Sequence, residues 1–320
     1  MRNPYEMSAT APHIRTEPAS SLFAEDGPAA PLARGKDFEY GTCSNEFEFV
    51  RTQPSGLVFL RDRPHAAELG TIYPDDYEPY RFENFPGLLR KARNFVQRGK
   101  VRVVRQLAPG AADILDVGCG SGALLRLLRQ FGDPAWVLHA NELHAPSLQR
   151  LGEQGFVTHP GPIEKVVGDG RFDVIVLNQV IEHFADVNEL LSACRRLLKP
   201  GGHLLIETPS TSGLDFRWFG KRHWGGYHFP RHFYLFNAPA LGRLLSRHGL
   251  QVSRVHYLAS PAFWTQSLHH RVSESRWPRL ASWFHLKNLP LTAAVTLLDL
   301  VLATLGGRTS NMRLVAQRVD

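Results

Sequence analysis

Residues 114–132 read ILDVGCGSGALLRLLRQFG. The run Ile114, Leu115, Asp116, Val117 is short, apolar and strand-like, with an acid near its end. Glycines follow at positions 118, 120 and 122, and a leucine stripe at helical spacing begins at Leu124 and stops at Gly132. A buried strand that breaks into glycines and continues as an amphipathic helix is the opening unit of a βαβ arrangement. The chain on either side extends it. Residues 86–110 read as a helix leading in, stopped by the Pro109-Gly110 pair. Downstream, AWVLHANE (135–142), FDVIVLNQV (172–180), HLLIETP (203–209) and QVSRVHYL (251–258) read as strands. PSLQRLGEQG (146–155), DVNELLSACRRLL (186–198) and APALGRLLSRHG (238–249) read as helices between them, with Asp186 placed to cap its helix. Strands alternating with helices predict a mostly parallel sheet covered on both faces. The final NMRLVAQRVD (311–320) reads as one more strand.

Composition narrows the class. Of 320 residues, 43% are hydrophobic, enough for a sizeable core. The net charge of +7 is scattered rather than clustered, so nucleic acid is not an expected partner. Cys43, Cys119 and Cys194 show no paired spacing, which points away from a disulfide scaffold and toward a reducing, cytoplasmic setting. No apolar secretory core is visible near the start of the chain.

The glycine loop lies where open α/β sheets bind ligands, beyond the carboxyl ends of the strands. Gly118, Gly120 and Ala123 fit a loose dinucleotide pattern, a weak signal alone. Asp116 argues against it, because a carboxylate beside the loop repels a pyrophosphate. S-adenosylmethionine carries a sulfonium and an ammonium and no phosphate, so acids suit it. Glu142, at the end of the second strand, can accept from ribose hydroxyls, a role shared with nicotinamide dinucleotide sites.

The ordered set ILDVGCGSG, FDVIVLNQVIEHF and LLKPGGHLLIETP resembles the class I S-adenosylmethionine-dependent methyltransferases across about residues 112 to 258 and the final strand. The resemblance implies a doubly wound, Rossmann-like, seven-stranded sheet with an antiparallel last strand. It implies that the loop from Asp116 through Gly118, Cys119, Gly120 and Gly122 holds the methionine part of the cofactor, that Glu142 holds the ribose, and that Asn178 lies near the amino group. Where many relatives carry an acid against adenine, this chain has Pro162, so backbone around Ile163, Glu164 or apolar contacts must serve. Independently, Asp116 can cap the loop, Cys119 can be merely a small side chain, and the 199–202 stretch KPGG reads as a turn.

Methyl transfer to oxygen often needs one proton removed, and histidine suits that work. His183, directly after Glu182 and the fourth strand, is the first candidate base, or else a structural residue at a helix start. FRWFGKRHWGGYHFPRHFYLF (216–236) follows the fifth strand, on the acceptor side of the fold. His228 and His232 are further candidate bases there, and His223, Trp224, Tyr227 and Arg231 candidate contacts for a small-molecule or saccharide acceptor. The PRHFYLF part also resembles a saccharide and secondary-metabolite subgroup. The acceptor's atom is read as oxygen, with nitrogen and carbon open; the alternatives are a nucleic-acid or protein methyltransferase and a non-catalytic cofactor-binding scaffold. The histidines show no metal-ligand spacing, so no metal site is expected.

Residues 43–80 resemble the N-terminal zinc ribbon of that same subgroup, with Thr52 and Ser55 where a second cysteine pair would stand and only Cys43 kept from the first. Tyr73, Tyr77 and Tyr80 can cover the cofactor or pack on the core. The expected organisation is a flexible arm at 1–37, a degenerate ribbon at 38–82, the methyltransferase core at 83–258, an apolar helical insertion at 259–309 and the last strand at 310–320. The insertion reads as a lid, a dimer surface or a peripheral membrane contact through 289–305; a buried lid or dimer helix is the favoured reading.

Overall fold

A computed structural model of the chain describes residues 11–73 and 98–319. Its first part is a small β module: β1 (Thr16–Pro18), β2 (Ala30–Gly35), β3 (Phe47–Arg51), β4 (Val58–Leu60), β5 (Asp62–Pro64) and the short α1 (Leu69–Ile72). Residues 11–37 are therefore not the free arm their composition predicts. β1 pairs with β5 and β2 with β3, and Ile14, Phe23 and Ala33 are buried. Pro, Ala and Ser in this stretch serve short edge strands rather than disorder.

At the turn that carries Thr52 and Ser55, the polar side chains gather on one carboxylate. Asp26 accepts from the hydroxyls of Ser21, Thr52 and Ser55 at 2.5, 2.7 and 2.6 Å, and from the Ser55 amide at 2.9 Å. Burial raises its pKa, but these hydrogen bonds outweigh it and hold the carboxyl at about 2.

The core follows: α2 (98–107), β6 (Ala112–Val117), α3 (Ala123–Phe131), β7 (Trp136–Glu142), α4 (Ala145–Glu153), β8 (Val157–Pro160), β9 (Phe172–Asn178), α5 (Val187–Leu197), β10 (Leu198–Pro209), α6 (Leu214–Phe219), β11 (Tyr234–Leu235), α7 (Ala238–Arg247), β12 (Leu250–Leu258), α8 (Pro261–Ser273), α9 (Leu289–Thr304) and β13 (Asn311–Arg318). Seven strands form one sheet in the order β12-β13-β10-β9-β6-β7-β8. β8, β7, β6, β9 and β10 run parallel, and β13 is antiparallel to both β10 and β12. The expected architecture is borne out. Strand alternation sorts the core: Ile114, Val174, Val176 and Leu205 face α3 and α4, whereas Leu115, Ile175, Leu177 and Ile206 face the other way. Asp186 caps α5, its side chain accepting from the Glu189 amide at 2.9 Å.

Three local features differ from expectation. The KPGG stretch lies inside β10, which restarts its pairing with β9 at His203 after a break in register. β11, from the presumed acceptor loop, joins β4 to complete a four-stranded sheet β11-β4-β3-β2 in the N-terminal module. The module's Phe49 and Val58 share one apolar cluster with Leu177 and Ile206, so the module is continuous with the core. Finally, α9 is not a buried lid, since only Val295 and Asp299 on it are buried. Among the described residues no helix is long and apolar enough to cross a membrane.

Candidate functional site

The strand order reverses direction between β6 and β9, which opens a crevice at their carboxyl ends. The loop after β6 fills one side. Gly118, Gly120 and Gly122 have φ of 60°, 55° and 78°, in the region that favours glycine. A Cβ at 118 would lie 2.9 Å from Val180 Cγ2, and one at 122 would lie 2.3 Å from Leu151 Cδ2. The protein itself therefore requires glycine at these two positions, so the glycines alone do not identify a ligand.

Asp116 does more. It is 2% exposed and makes no hydrogen bond to any described residue. It does not cap the loop, as one reading allowed. Burial pushes its carboxyl up, Lys100 draws it down and Glu142 adds to the push, leaving a pKa of about 7. A buried carboxylate without hydrogen bonds is costly unless a cationic or hydrogen-donating ligand completes it.

Glu142 takes over the capping of the loop. Its Oε2 accepts from the Gly120 amide at 2.8 Å, and its Oε1 accepts from the amides of Leu143 and His144 at 2.8 and 3.0 Å. Of the roughly four lone-pair positions on a carboxylate, only about one, on Oε2, is left for a ribose hydroxyl. Asn178, at the end of β9, accepts from Lys100 Nζ at 2.5 Å, and Lys100 also pairs with Glu207 at 2.7 Å. Arg313 on β13 pairs with the other oxygen of Glu207. This buried ion network was not anticipated. Its signal in the sequence is Lys100 itself, a charge on the stripe of Val101, Val104 and Ala108. Ile163 is buried in a single 3-10 turn after β8, and Cys119 is a thiol whose pKa burial drives far up, which disfavours the thiolate.

The three candidate bases form one cluster. Ring centroids lie 4.7 Å apart for His183 and His232, 5.0 Å for His228 and His232, and 6.2 Å for His183 and His228. His183 Nδ1 lies 2.9 Å from the Tyr73 hydroxyl and 3.0 Å from the Arg231 carbonyl. Burial lowers its pKa to about 3, with the charge of nearby His228 adding to the effect and the Arg231 carbonyl opposing it. His232 is buried, its Nδ1 is 2.8 Å from the Gly226 carbonyl, and its pKa also lies well below normal. His228, at φ 43°, pairs through Nδ1 with Glu39 at 2.6 Å. Glu39 comes from the N-terminal module, and nothing in the local sequence announced it. Glu182 is fully buried, accepts from the Thr208 hydroxyl at 2.9 Å and leaves Oε1 without a partner; burial pushes its pKa up to about 8. Glu182, His183 and His232 each bring a ligand-type atom within 4.8 Å of the others, a grouping that linear spacing did not forecast.

The four candidate acceptor contacts are placed differently from expectation. Arg231 is 0% exposed; it grips both oxygens of Asp37 at 2.9 and 3.0 Å and donates to the carbonyls of Ile72 and Phe229. Trp224 donates to Asp215 at 2.9 Å from the core, and buried Tyr227 donates to the Gly220 carbonyl. His223 pairs with Glu274 at 2.9 Å. Each polar group is engaged by protein. The cavity bounded by Glu39, Trp224, Tyr227 and His228 has about 10 Å³, room for one water at most. These residues are packed into the protein rather than turned toward an open pocket. Tyr73 reaches His183, whereas Tyr77 and Tyr80 lie outside the described residues.

A family model described as a methyltransferase domain matches residues 88–255. A ubiquinone biosynthesis O-methyltransferase of Caulobacter vibrioides is 36% identical over 100 residues, covering 30% of this chain and 40% of its own length. One from Cereibacter sphaeroides is 30% identical over 173 residues, covering 48% and 67%. The chain thus spans less than half of the Caulobacter relative. Among solved structures, a 1,6-didemethyltoxoflavin-N1-methyltransferase of Burkholderia thailandensis aligns with a TM-score of 0.48 at 14% identity, over 96% of this chain and 100% of that one. A SAM-dependent methyltransferase of Archaeoglobus fulgidus gives 0.47 at 17%, over 71% and 94%.

Proposed function

From the premise that the chain belongs to the methyltransferase-domain family, we propose that it transfers a methyl group from S-adenosylmethionine to an oxygen of a small-molecule or saccharide acceptor. The observation that carries the reading is Asp116, a buried carboxylate with no hydrogen bond to any described residue, behind a loop of left-handed glycines at the switch point. It fits a cationic ligand and opposes a phosphate-bridged one. The O-methyltransferase names of the relatives support oxygen as the receiving atom. The hydroxyls of Thr52 and Ser55, both bonded to Asp26, support the reading of residues 38–82 as a degenerate ribbon held together without metal.

When bound, S-adenosylmethionine supplies a methyl carbon already activated by its sulfonium. The chain's own residues bind, orient and take up a proton. Asp116 provides negative charge to the cationic part, and Glu142 fixes the loop while keeping its remaining lone pair for a hydroxyl. Lys100, Glu207 and Arg313 hold Asn178 in place. At a pKa of about 3, His183 is neutral at working pH and a weak base, so it takes a proton only from an oxygen made strongly acidic by its new bond to the methyl. With Nδ1 held by Tyr73 and Arg231, its Nε2 is the atom that accepts the acceptor's hydroxyl proton as the oxygen becomes bonded. Glu39 orients the neighbouring His228, a second place for that proton.

Calorimetry with S-adenosylhomocysteine and with NADH, followed by transfer of labelled methyl to a panel of hydroxyl, amine and carbon acceptors, tests the reading. Binding of S-adenosylhomocysteine and label on an oxygen are expected. Binding of NADH without S-adenosylhomocysteine overturns it.

A further inference from the structure

The apolar insertion between β12 and β13 ends in a helix whose outer face no described residue covers. In α9 the exposed positions Leu297, Leu300, Val301, Thr304 and Leu305 follow helical spacing along one stripe. Leu297 is 62% exposed and Leu305, just past the helix end, 80%. The solvent face of a surface helix is ordinarily charged, yet this one carries no charge along its length. The helix cannot roll to hide the stripe. Buried Asp299 on the inner face accepts from the Ser260 amide at 2.7 Å and from Trp264 Nε1 at 2.8 Å, which pins that face to the start of α8. The turn before α9 adds Trp277 and Trp283, exposed to 59% and 68%. From residue 275 to 308 the exposed charges are Arg276, Arg279, Lys287 and Arg308, while the single acid is the buried Asp299.

We propose that this face docks on an anionic lipid bilayer, with the α9 stripe and the two tryptophans in the interface and the four cations over the headgroups. Charge complementarity selects that occupant. Exposed tryptophan and leucine in a segment with four exposed cations, whose nearest exposed acid in sequence, Glu274, is already paired with Arg222 and His223, suit an interface whose apolar layer lies under negative charge. A second copy is disfavoured, since a two-fold contact brings equal sets of cations to one rim with no carboxylate from this segment to neutralise them. The inference does not depend on the methyl-transfer reading.

The test is cosedimentation of the full chain with vesicles of phosphatidylcholine, with and without phosphatidylglycerol. Binding is expected to be at least about tenfold tighter with phosphatidylglycerol, and to weaken as salt rises. Each cation near such a surface is worth a factor of about five, so Arg276→Glu with Arg279→Glu is expected to weaken binding by about 25-fold or more. Leu297→Asn with Leu300→Asn is expected to remove the binding to phosphatidylglycerol vesicles. If the helix variant loses its melting transition, the arginine variant alone decides. Failure of the wild-type chain to sediment, or unchanged binding of the arginine variant, overturns the proposal. So does a dimer in sedimentation equilibrium that the helix variant converts to monomer.

Discussion

Replacing Asp116 with Asn separates a ligand-binding role from a structural one, because the two predict opposite changes in stability. The carboxyl is buried and its pKa stands at about 7, against an ordinary aspartate value of 3.8. Its folded pKa is raised, so between those values the folded protein holds a proton that the unfolded chain has released. Stability therefore falls as pH rises through that window, and above pH 7 the ionised group costs about 4 kcal/mol. Asn removes the charge and leaves an amide whose burial costs about 1–3 kcal/mol. The free Asp116→Asn protein is thus expected to be more stable than wild type at pH 8 by about 1–3 kcal/mol, seen as a higher denaturation midpoint, with the advantage gone at pH 4. In calorimetry with S-adenosylmethionine the order reverses. Wild-type affinity is expected to fall about tenfold per unit as pH drops from 7 toward 5, because protonation removes the charge that meets the cation. The variant should bind weakly with no such slope. A variant that is less stable at pH 8, or that binds as wild type does, refutes the reasoning.

The remaining predictions concern the proton, the module and its joint to the core. His183→Ala is expected to leave cofactor affinity unchanged and to cut turnover by about 10²–10⁴, measured with saturating acceptor, if His183 takes the proton. Asp26→Ala is expected to cost about 2 kcal/mol at pH 7 in urea unfolding. The folded pKa of Asp26 is depressed, so its contribution is present above about pH 4 and is lost as pH falls toward 2; the variant should lack that acid limb. Arg231→Met leaves Asp37 buried without its cation and is expected to cost about 3–5 kcal/mol, while Asp37→Leu added to it should recover part of the loss.

The cofactor side was readable because its signals are local. The glycine spacing, the acid in the first strand and the acid ending the second lie within 27 residues, from 116 to 142, and strand periodicity does not depend on distant partners. The acceptor side was misread where burial depends on distant chain. Arg231 and Tyr227 have the composition of a ligand pocket, but Asp37 and Phe49 cover them from the other end of the sequence. The same distance hid Glu39, which matters only through His228. The first residues looked disordered because their strands are short and rich in proline, and their order comes from pairing with β5 and β3.

These placements divide the labour of the fold. The crevice for the cofactor is built on strand ends that any doubly wound sheet provides, and its parts follow one another closely in sequence. The side we propose for the acceptor is assembled from two pieces far apart in the chain, residues 37–73 and 216–236. Among the contacts that join them, β11 pairs with β4, Arg231 clamps Asp37, and His228 meets Glu39. The histidine cluster stands at that joint, and Tyr73 reaches it from the module side. If the histidines take the proton as proposed, a substitution inside the module, far in sequence from either glycine loop or histidine, moves them and leaves the cofactor crevice untouched. Loosening the joint should lower turnover at unchanged cofactor affinity, whereas damage to β6 and its loop should lower both.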